Sequence, residues 1–199
     1  MAELVFKYGT MGSGKSLHLL STAKQLKSRG IKYMLLKSVF DTRDSGVIKS
    51  RFQIEEPCIT LEYNGSIYPY IDNKDIKFIL VDEAQFLNTF QVDELAYLVD
   101  KYNINVICYG LRTDYLNHLF EGSKRLFEIA DRIEELSSYC ECGNKNITNA
   151  RLKDDNNTIE TEETEQIQVG GDESYKSMCR KCYNKLYNKS LKFSELVNE

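Results

Sequence analysis

The spacing of hydrophobic and polar positions changes several times along the chain, and each change marks an element. Residues 3–8 (ELVFKY) form a short apolar run closed by Gly9, a Gly/Ser-rich stretch follows, and over 16–29 apolar residues recur at Leu17, Leu19, Leu20, Ala23 and Leu26. These patterns predict a strand, a loop and a helix with one apolar stripe. Gly30 suits a helix end, and the continuous run IKYMLLK at 31–37 reads as a strand of the buried type. Strand, helix and strand in this order make a right-handed βαβ unit.

Residues 38–57 are polar and irregular, after which CITLEY and SIYPYI flank Asn64-Gly65. Both turn positions tolerate positive φ, so the pattern predicts an inserted hairpin. The run KFILV at 77–81 ends in Asp82-Glu83, the segment 89–101 has helical spacing through Phe90, Leu95, Leu98 and Val99, and NVICYG ahead of Leu111 reads as another strand. Alternating strands and helices predict an α/β fold, a mostly parallel sheet flanked by helices on both faces. Near residue 138 the texture changes to close cysteine pairs, a polar stretch over 153–166 and a lysine- and tyrosine-rich tail. The expected division is an α/β domain over 1–137 and a small subdomain over 138–199, whose core needs a staple.

Composition narrows the classes. A chain of 199 residues with 42% hydrophobic and 28% charged residues is a globular protein with one main domain. A net charge of −4 argues against coating a nucleic-acid backbone, so no nucleic-acid partner is expected. The N-terminal MAELVFKYGTMGSGKS has no basic region followed by an apolar run, and no stretch approaches the roughly 18 apolar residues of a membrane span. The expectation is a cytoplasmic protein with no membrane partner. Without a secretory signal, the six cysteines read as reduced thiols or metal ligands rather than three disulfides.

Three motifs carry chemistry. Gly9-Thr10-Met11-Gly12-Ser13-Gly14-Lys15-Ser16 fits G-x(4)-G-K-[ST] between a predicted strand and a predicted helix. Such a P-loop turns backbone N–H groups and a helix N-terminus toward a β-phosphate, with Lys15 reaching the β/γ oxygens and Ser16 a Mg²⁺ ligand. The bland alternative is a Gly-rich turn with a solvated lysine. Next, Asp82 and Glu83 stand at the C-terminal end of a strand, where α/β sheets place ligands. Asp82 can hold Mg²⁺, while Glu83, pointing to the other side of an extended backbone, can accept a proton from an attacking hydroxyl. Two acids capping a following helix is the alternative. Finally, Cys140-Glu141-Cys142 and Cys179-Arg180-Lys181-Cys182 offer four thiolates for a closed structural Zn²⁺ site, against unrelated buried thiols.

From Gly9 to about Tyr183 the chain resembles the type II thymidine kinases. The resemblance is carried in family order by GTMGSGKS at 9–16, Asp41-Thr42-Arg43, Asp82-Glu83-Ala84-Gln85-Phe86, Tyr109-Gly110-Leu111-Arg112-Thr113-Asp114, and Val169-Gly170-Gly171 with Tyr175 and Cys179-x-x-Cys182. It implies transfer of the ATP γ-phosphoryl group to the 5′-hydroxyl of thymidine with Mg²⁺, in a P-loop α/β domain joined to a zinc-bearing subdomain with a lasso loop. It further implies Glu83 as general base, and Arg43 and Gln85 on the ATP side with the 9–16 loop and Asp82. Phe86, Leu111, Tyr115, Phe120, Asn149 and Tyr175 would line the nucleoside pocket, with the backbone of Gln168, Val169 and Gly170 on the base edge. Deoxyuridine as a weaker substrate is the expectation from pocket chemistry. A homotetramer and feedback by dTTP are the family's implication. The chain departs from the family at Tyr115, usually Phe, at Asn149, where the human-like enzymes place Thr, and at Cys140-Glu141-Cys142, one residue short of C-x(2)-C. A different class, a nucleotide-driven regulator whose zinc knuckle contacts nucleic acid, would rest on Lys176, Arg180, Lys181, Lys185 and Lys189.

Overall fold

The computed structural model describes residues 1–40, 46–71, 75–153, 158–162 and 174–197, with side chains to residue 191. Two compact units emerge. The first holds residues 1–8, 14–112 and 120–136, and the second holds 9–13, 113–119 and 137–199.

The first unit is built on a six-stranded sheet. Its strands are β1 (Leu4–Tyr8), β2 (Tyr33–Ser38), β5 (Ile59–Leu61), β6 (Phe78–Asp82), β7 (Asn105–Gly110) and β8 (Arg132–Glu135), with β3 (Val47–Lys49) and β4 (Glu55–Pro57) forming a separate antiparallel pair. The sheet order is β5-β2-β6-β7-β1-β8, and every neighbouring pair is parallel. Side chains alternate between its faces. Leu35, Leu80 and Tyr109 point toward α1 (Lys15–Ser28) and pack with Leu19, Leu20, Ala23 and Leu26. Leu36, Ile79, Val81, Val106 and Cys108 point the other way, against Val92, Leu95 and Leu98 of α2 (Thr89–Tyr102) and Leu126 of α3 (Glu121–Ile129). Strands buried on both faces read as unbroken apolar runs, which is why β2, β6 and β7 were visible in the sequence.

Local chemistry sets the helix ends. Gly30, at φ +68, donates to Lys27 O while Ile31 donates to Leu26 O, closing α1 with a left-handed residue. α2 opens with a reciprocal capping box between Asn88 and Gln91.

Two expectations are corrected. No hairpin forms around Asn64-Gly65: β5 pairs in parallel with β2, and Tyr68–Tyr70 is a single 3₁₀ turn. Pro69 has no N–H for a ladder, and the Glu94 carboxylate accepts instead from the backbone N–H of Ile67 and Tyr68. Phe90, counted on the apolar stripe of α2, is 58% exposed, and Gln91 and Val92 carry the buried side of that turn.

In the second unit, β9 (Thr148–Arg151) and β10 (Tyr175–Met178) form an antiparallel ribbon, followed by α4 (Arg180–Val197). Its core is small: Cys140, Ala150, Ile159, Met178, Cys179 and Tyr183, with Leu186 and Tyr187 beside it. Among the described residues, no helix is long and apolar enough to cross a membrane.

Candidate active site

In the first unit, polar chemistry gathers at the C-terminal ends of β2, β6 and β7. Gly14 precedes α1 at φ 83 and supplies no side-chain cap, the arrangement in which a helix start receives an anion. Lys15, the first residue of α1, is buried. Ser16 Oγ lies 3.4 Å from Asp82 Oδ1, and Asp82 is itself buried at the last position of β6. Lys37 of β2 is in register with Asp82, points to the same face of the sheet and is 1% exposed.

Glu83 follows in a conformation the sequence did not suggest. It is not extended but left-handed, φ 50, and it starts the 3₁₀ turn Ala84–Phe86. The turn brings Gln85 back toward it: Gln85 Nε2 donates to Glu83 Oε2 at 2.6 Å, and Gln85 Oε1 accepts from Leu111 N at 2.9 Å. One amide thus joins the carboxylate to the exit of β7. Small residues make the approach possible. A Cβ on Gly110 would stand 2.9 Å from Gln85 Oε1, and one on Gly122 would stand 2.5 Å from Ala84 O and 2.7 Å from Leu87 O. Ser123 Oγ then donates to Leu111 O. The rings of Phe86 and Phe120 meet edge to face, with centroids 5.8 Å apart. Phe86 and Leu111 are half-buried and Phe120 is buried.

The second unit carries the start of the 9–16 loop. Ser13 N donates to Thr10 O, Thr10 Oγ1 and Ser138 Oγ are 2.8 Å apart, and Gly12 has φ 74. Asn149 Oδ1 accepts from Met11 N at 2.8 Å, and Ser177 Oγ lies 2.7 Å from Met11 O. The carbonyl end of Asn149 therefore serves the loop backbone. Tyr115 is buried; its hydroxyl donates to Glu162 O, and its own carbonyl accepts from Tyr183 Oη. The Arg151 guanidinium lies 3.9 Å from the Tyr115 ring centroid, and Arg151 Nε donates to Tyr175 Oη at 2.9 Å.

The sulfurs of Cys140, Cys142, Cys179 and Cys182 all lie within 4.8 Å of one another. Tetrahedral zinc with Zn–S bonds of ~2.3 Å needs sulfurs ~3.8 Å apart, which this cluster suits. The first pair, one residue short, reaches its place through a tight turn: Gly143, at φ 85, donates to Cys140 O, and Cys140 N donates to Asn144 O. N–H donation from the backbone and side chain of Asn144 pulls the Cys142 thiol down to about 6. Backbone N–H groups of Cys142 and Cys179 lower that of Cys140. Cys182 is raised to about 12 by the sulfurs of Cys142, Cys179 and Cys140 that accept from it.

Arg43, Gln168, Val169 and Gly170 lie outside the described residues. The structure adds Lys37 in the first unit and Arg151, Ser177 and Tyr183 in the second, none of which sequence reasoning singled out as functional. Lys37 had a readable signal, a charge closing a buried-type run. Arg151, Ser177 and Tyr183 had none, because their roles depend on the pairing of β9 with β10 and on the packing of α4.

The thymidine kinase family model matches residues 2–183. A thymidine kinase of Enterobacteria phage T4 is 44% identical over 194 residues, covering 95% of this chain and 99% of the relative. One from Zymomonas mobilis is 44% identical over 186 residues, covering 91% and 95%. One from Lactobacillus acidophilus is 40% identical over 195 residues, covering 92% and 96%.

Proposed function

The chain belongs to the thymidine kinase family, and we propose on that premise that it transfers the γ-phosphoryl group of ATP to the 5′-hydroxyl of thymidine, giving dTMP and ADP for pyrimidine salvage. The observation that carries the reading is the sequence Ser16, Asp82, Glu83 and Gln85 at the C-terminal edge of a parallel sheet, with Ser16 against Asp82 and Gln85 against Glu83. Phosphoryl transfer passes through a loose transition state, so positioning and electrostatics supply most of the acceleration. Gly9 to Ser16 act as a phosphate-binding loop, and Lys15 neutralises charge on the transferring group. Ser16 and Asp82 present hard oxygens that would hold Mg²⁺, which would supply positive charge to the phosphates. Glu83 takes the proton of the 5′-hydroxyl. Gln85 orients that carboxylate by donating to it, and its other end is fixed by Leu111 N.

On the nucleoside side the reading assigns Phe86, Leu111, Tyr115, Phe120, Asn149 and Tyr175. By family resemblance it assigns the backbone from Gln168 to Gly170 to the base edge and Arg43 to the phosphates. Asn149 enters through Met11, whose N–H it accepts. Cys140, Cys142, Cys179 and Cys182 would hold Zn²⁺ in a structural role, since four protein ligands would leave no position for substrate. A cytoplasmic location, a homotetramer and inhibition by dTTP complete the proposal; dTTP titration and sizing chromatography test the last two.

The test is incubation of the full chain with Mg²⁺-ATP and, separately, thymidine, deoxyuridine, deoxycytidine and deoxyguanosine, with monophosphates detected by mass spectrometry. Main-chain donors and acceptors reject a base of reversed hydrogen-bond pattern far more firmly than one lacking a methyl, which is worth only ~1–3 kcal/mol. Thymidine should react fastest, deoxyuridine more slowly and deoxycytidine barely. ATP hydrolysis without any nucleoside monophosphate would overturn the assignment.

A further inference from the structure

The β9–β10 register sets Arg151 opposite Tyr175 and Asn149 opposite Ser177, so these four side chains share one face of the ribbon. Ala150 and Met178 occupy the other face and enter the small core of the unit. Arg151 is unusual there: its residue is 6% exposed. A guanidinium this deep must be matched by partners, because an unmatched buried charge is strongly destabilising. Among its partners are two aromatic residues. Its Cζ lies over the Tyr115 ring, 3.9 Å from the centroid, its Nε donates to Tyr175 Oη at 2.9 Å, and the Tyr175 ring centroid is 5.4 Å from Cζ. Tyr115 is held from two further directions, by Glu162 O and by Tyr183 Oη.

We propose that Arg151 is the positioning residue of the nucleoside side of the site, holding the plane of Tyr115 and the hydroxyl of Tyr175 in the one arrangement that receives the nucleoside. The inference rests on the proposed assignment of those two tyrosines to the nucleoside. The geometry asks for arginine specifically. A flat, delocalised cation stacks on one ring while its Nε–H points at a second, whereas a lysine ammonium provides a point charge without a plane. The cation meets the face of the Tyr115 ring, while the hydroxyl at the ring's far end makes its own contact with Glu162 O.

The experiment compares wild type, Arg151→Lys, Arg151→Met, Tyr175→Phe and the Arg151→Met/Tyr175→Phe double variant. It measures kcat, KM for thymidine and for ATP, and thymidine affinity by calorimetry. Loss of a stacked, hydrogen-bonded cation should raise KM and Kd for thymidine about 10-fold or more in both Arg151 variants. KM for ATP should stay within about twofold and kcat within about threefold. The double variant should be no worse than Arg151→Met alone, because the two residues act through one contact. Equal rises in both KM values, or fully multiplicative losses in the double variant, would make Arg151 a general support of the unit and overturn the inference. Should Arg151→Met not fold, Arg151→Lys decides alone: wild-type thymidine affinity sinks the proposal. If the wild-type chain phosphorylates thymidine and the variants behave like it, this inference fails while the proposed function stands; if wild type makes no dTMP, the function itself fails.

Discussion

Glu83 shows what a single residue is asked to do. A left-handed backbone at a non-glycine costs about 1 kcal/mol or more and persists only where the surroundings impose it. At Glu83 the surroundings are the end of β6, the 3₁₀ turn after it and the Gln85 amide that donates to its carboxylate. Replacement by glutamine keeps size and backbone while removing the proposed base, so Glu83→Gln should retain the melting temperature and ATP binding but lose at least ~10²-fold in turnover. Near-normal steady-state turnover would take Glu83 out of the mechanism. A second residue-scale prediction concerns His18, whose Nδ1 lies 3.0 Å from the hydroxyl of buried Tyr109. Burial first, and then the Lys7 charge, lower the His18 pKa below 6.5. Folding therefore disfavours its protonated form: its contribution is fully present above 6.5 and declines as pH falls from there toward the folded-state value. Urea denaturation at pH 7.5 and 5.5 should show a smaller loss of stability for His18→Gln than for wild type. An identical loss in both proteins would remove His18 from the acid limb.

At the scale of elements, what could be read depended on how local the cause was. β1, α1, β2, β6, α2 and β7 follow from apolar runs and helical spacing, and the 9–16 loop and Asp82-Glu83 follow from spacing within a few residues. The segment 58–71 failed because Asn64-Gly65 is a local turn signal outweighed by Pro69 and by a carboxylate supplied from α2. The left-handed Glu83 was invisible because the preceding run is extended. α3 was missed for a different reason: its buried positions are Gly122, Ser123 and Leu126, so its docking face is small and polar and gives little apolar periodicity. That face is sterically demanding. Gly122→Ala would place a methyl 2.5 Å from Ala84 O and 2.7 Å from Leu87 O, both backbone atoms that yield poorly. The helix must move off the turn that carries Gln85, so stability should fall by about 1–3 kcal/mol. Turnover should fall with it because Ser123 and Leu111 shift together. Calorimetry and initial rates check this; unchanged values in both would mean that α3 re-docks without effort.

For the whole molecule, the two units differ in how they are stabilised. The first has apolar clusters on both faces of a six-stranded sheet, which is ample for a cooperative core. Among the described residues the second assembles around Cys140, Ala150, Ile159, Met178, Cys179 and Tyr183, little apolar area to set against the ordering entropy of a chain. Two of those six are members of the four-sulfur cluster, so the staple and the core occupy the same place. A metal bound to the folded unit and not to the unfolded chain adds stability in proportion to the logarithm of its concentration over Kd. Purified protein should therefore contain about one Zn²⁺ per chain by elemental analysis. A chelator, or Cys142→Ser, should split calorimetric unfolding into two transitions. The lower would report the second unit, and the higher would stay near the original temperature because the sheet core does not contain the metal. Thymidine phosphorylation should disappear with the lower transition and return on adding Zn²⁺ to the chelated wild type. A metal-free preparation with a single unshifted transition and full activity would show that the four cysteines are a packed cluster of thiols, and that this small core stands without a staple.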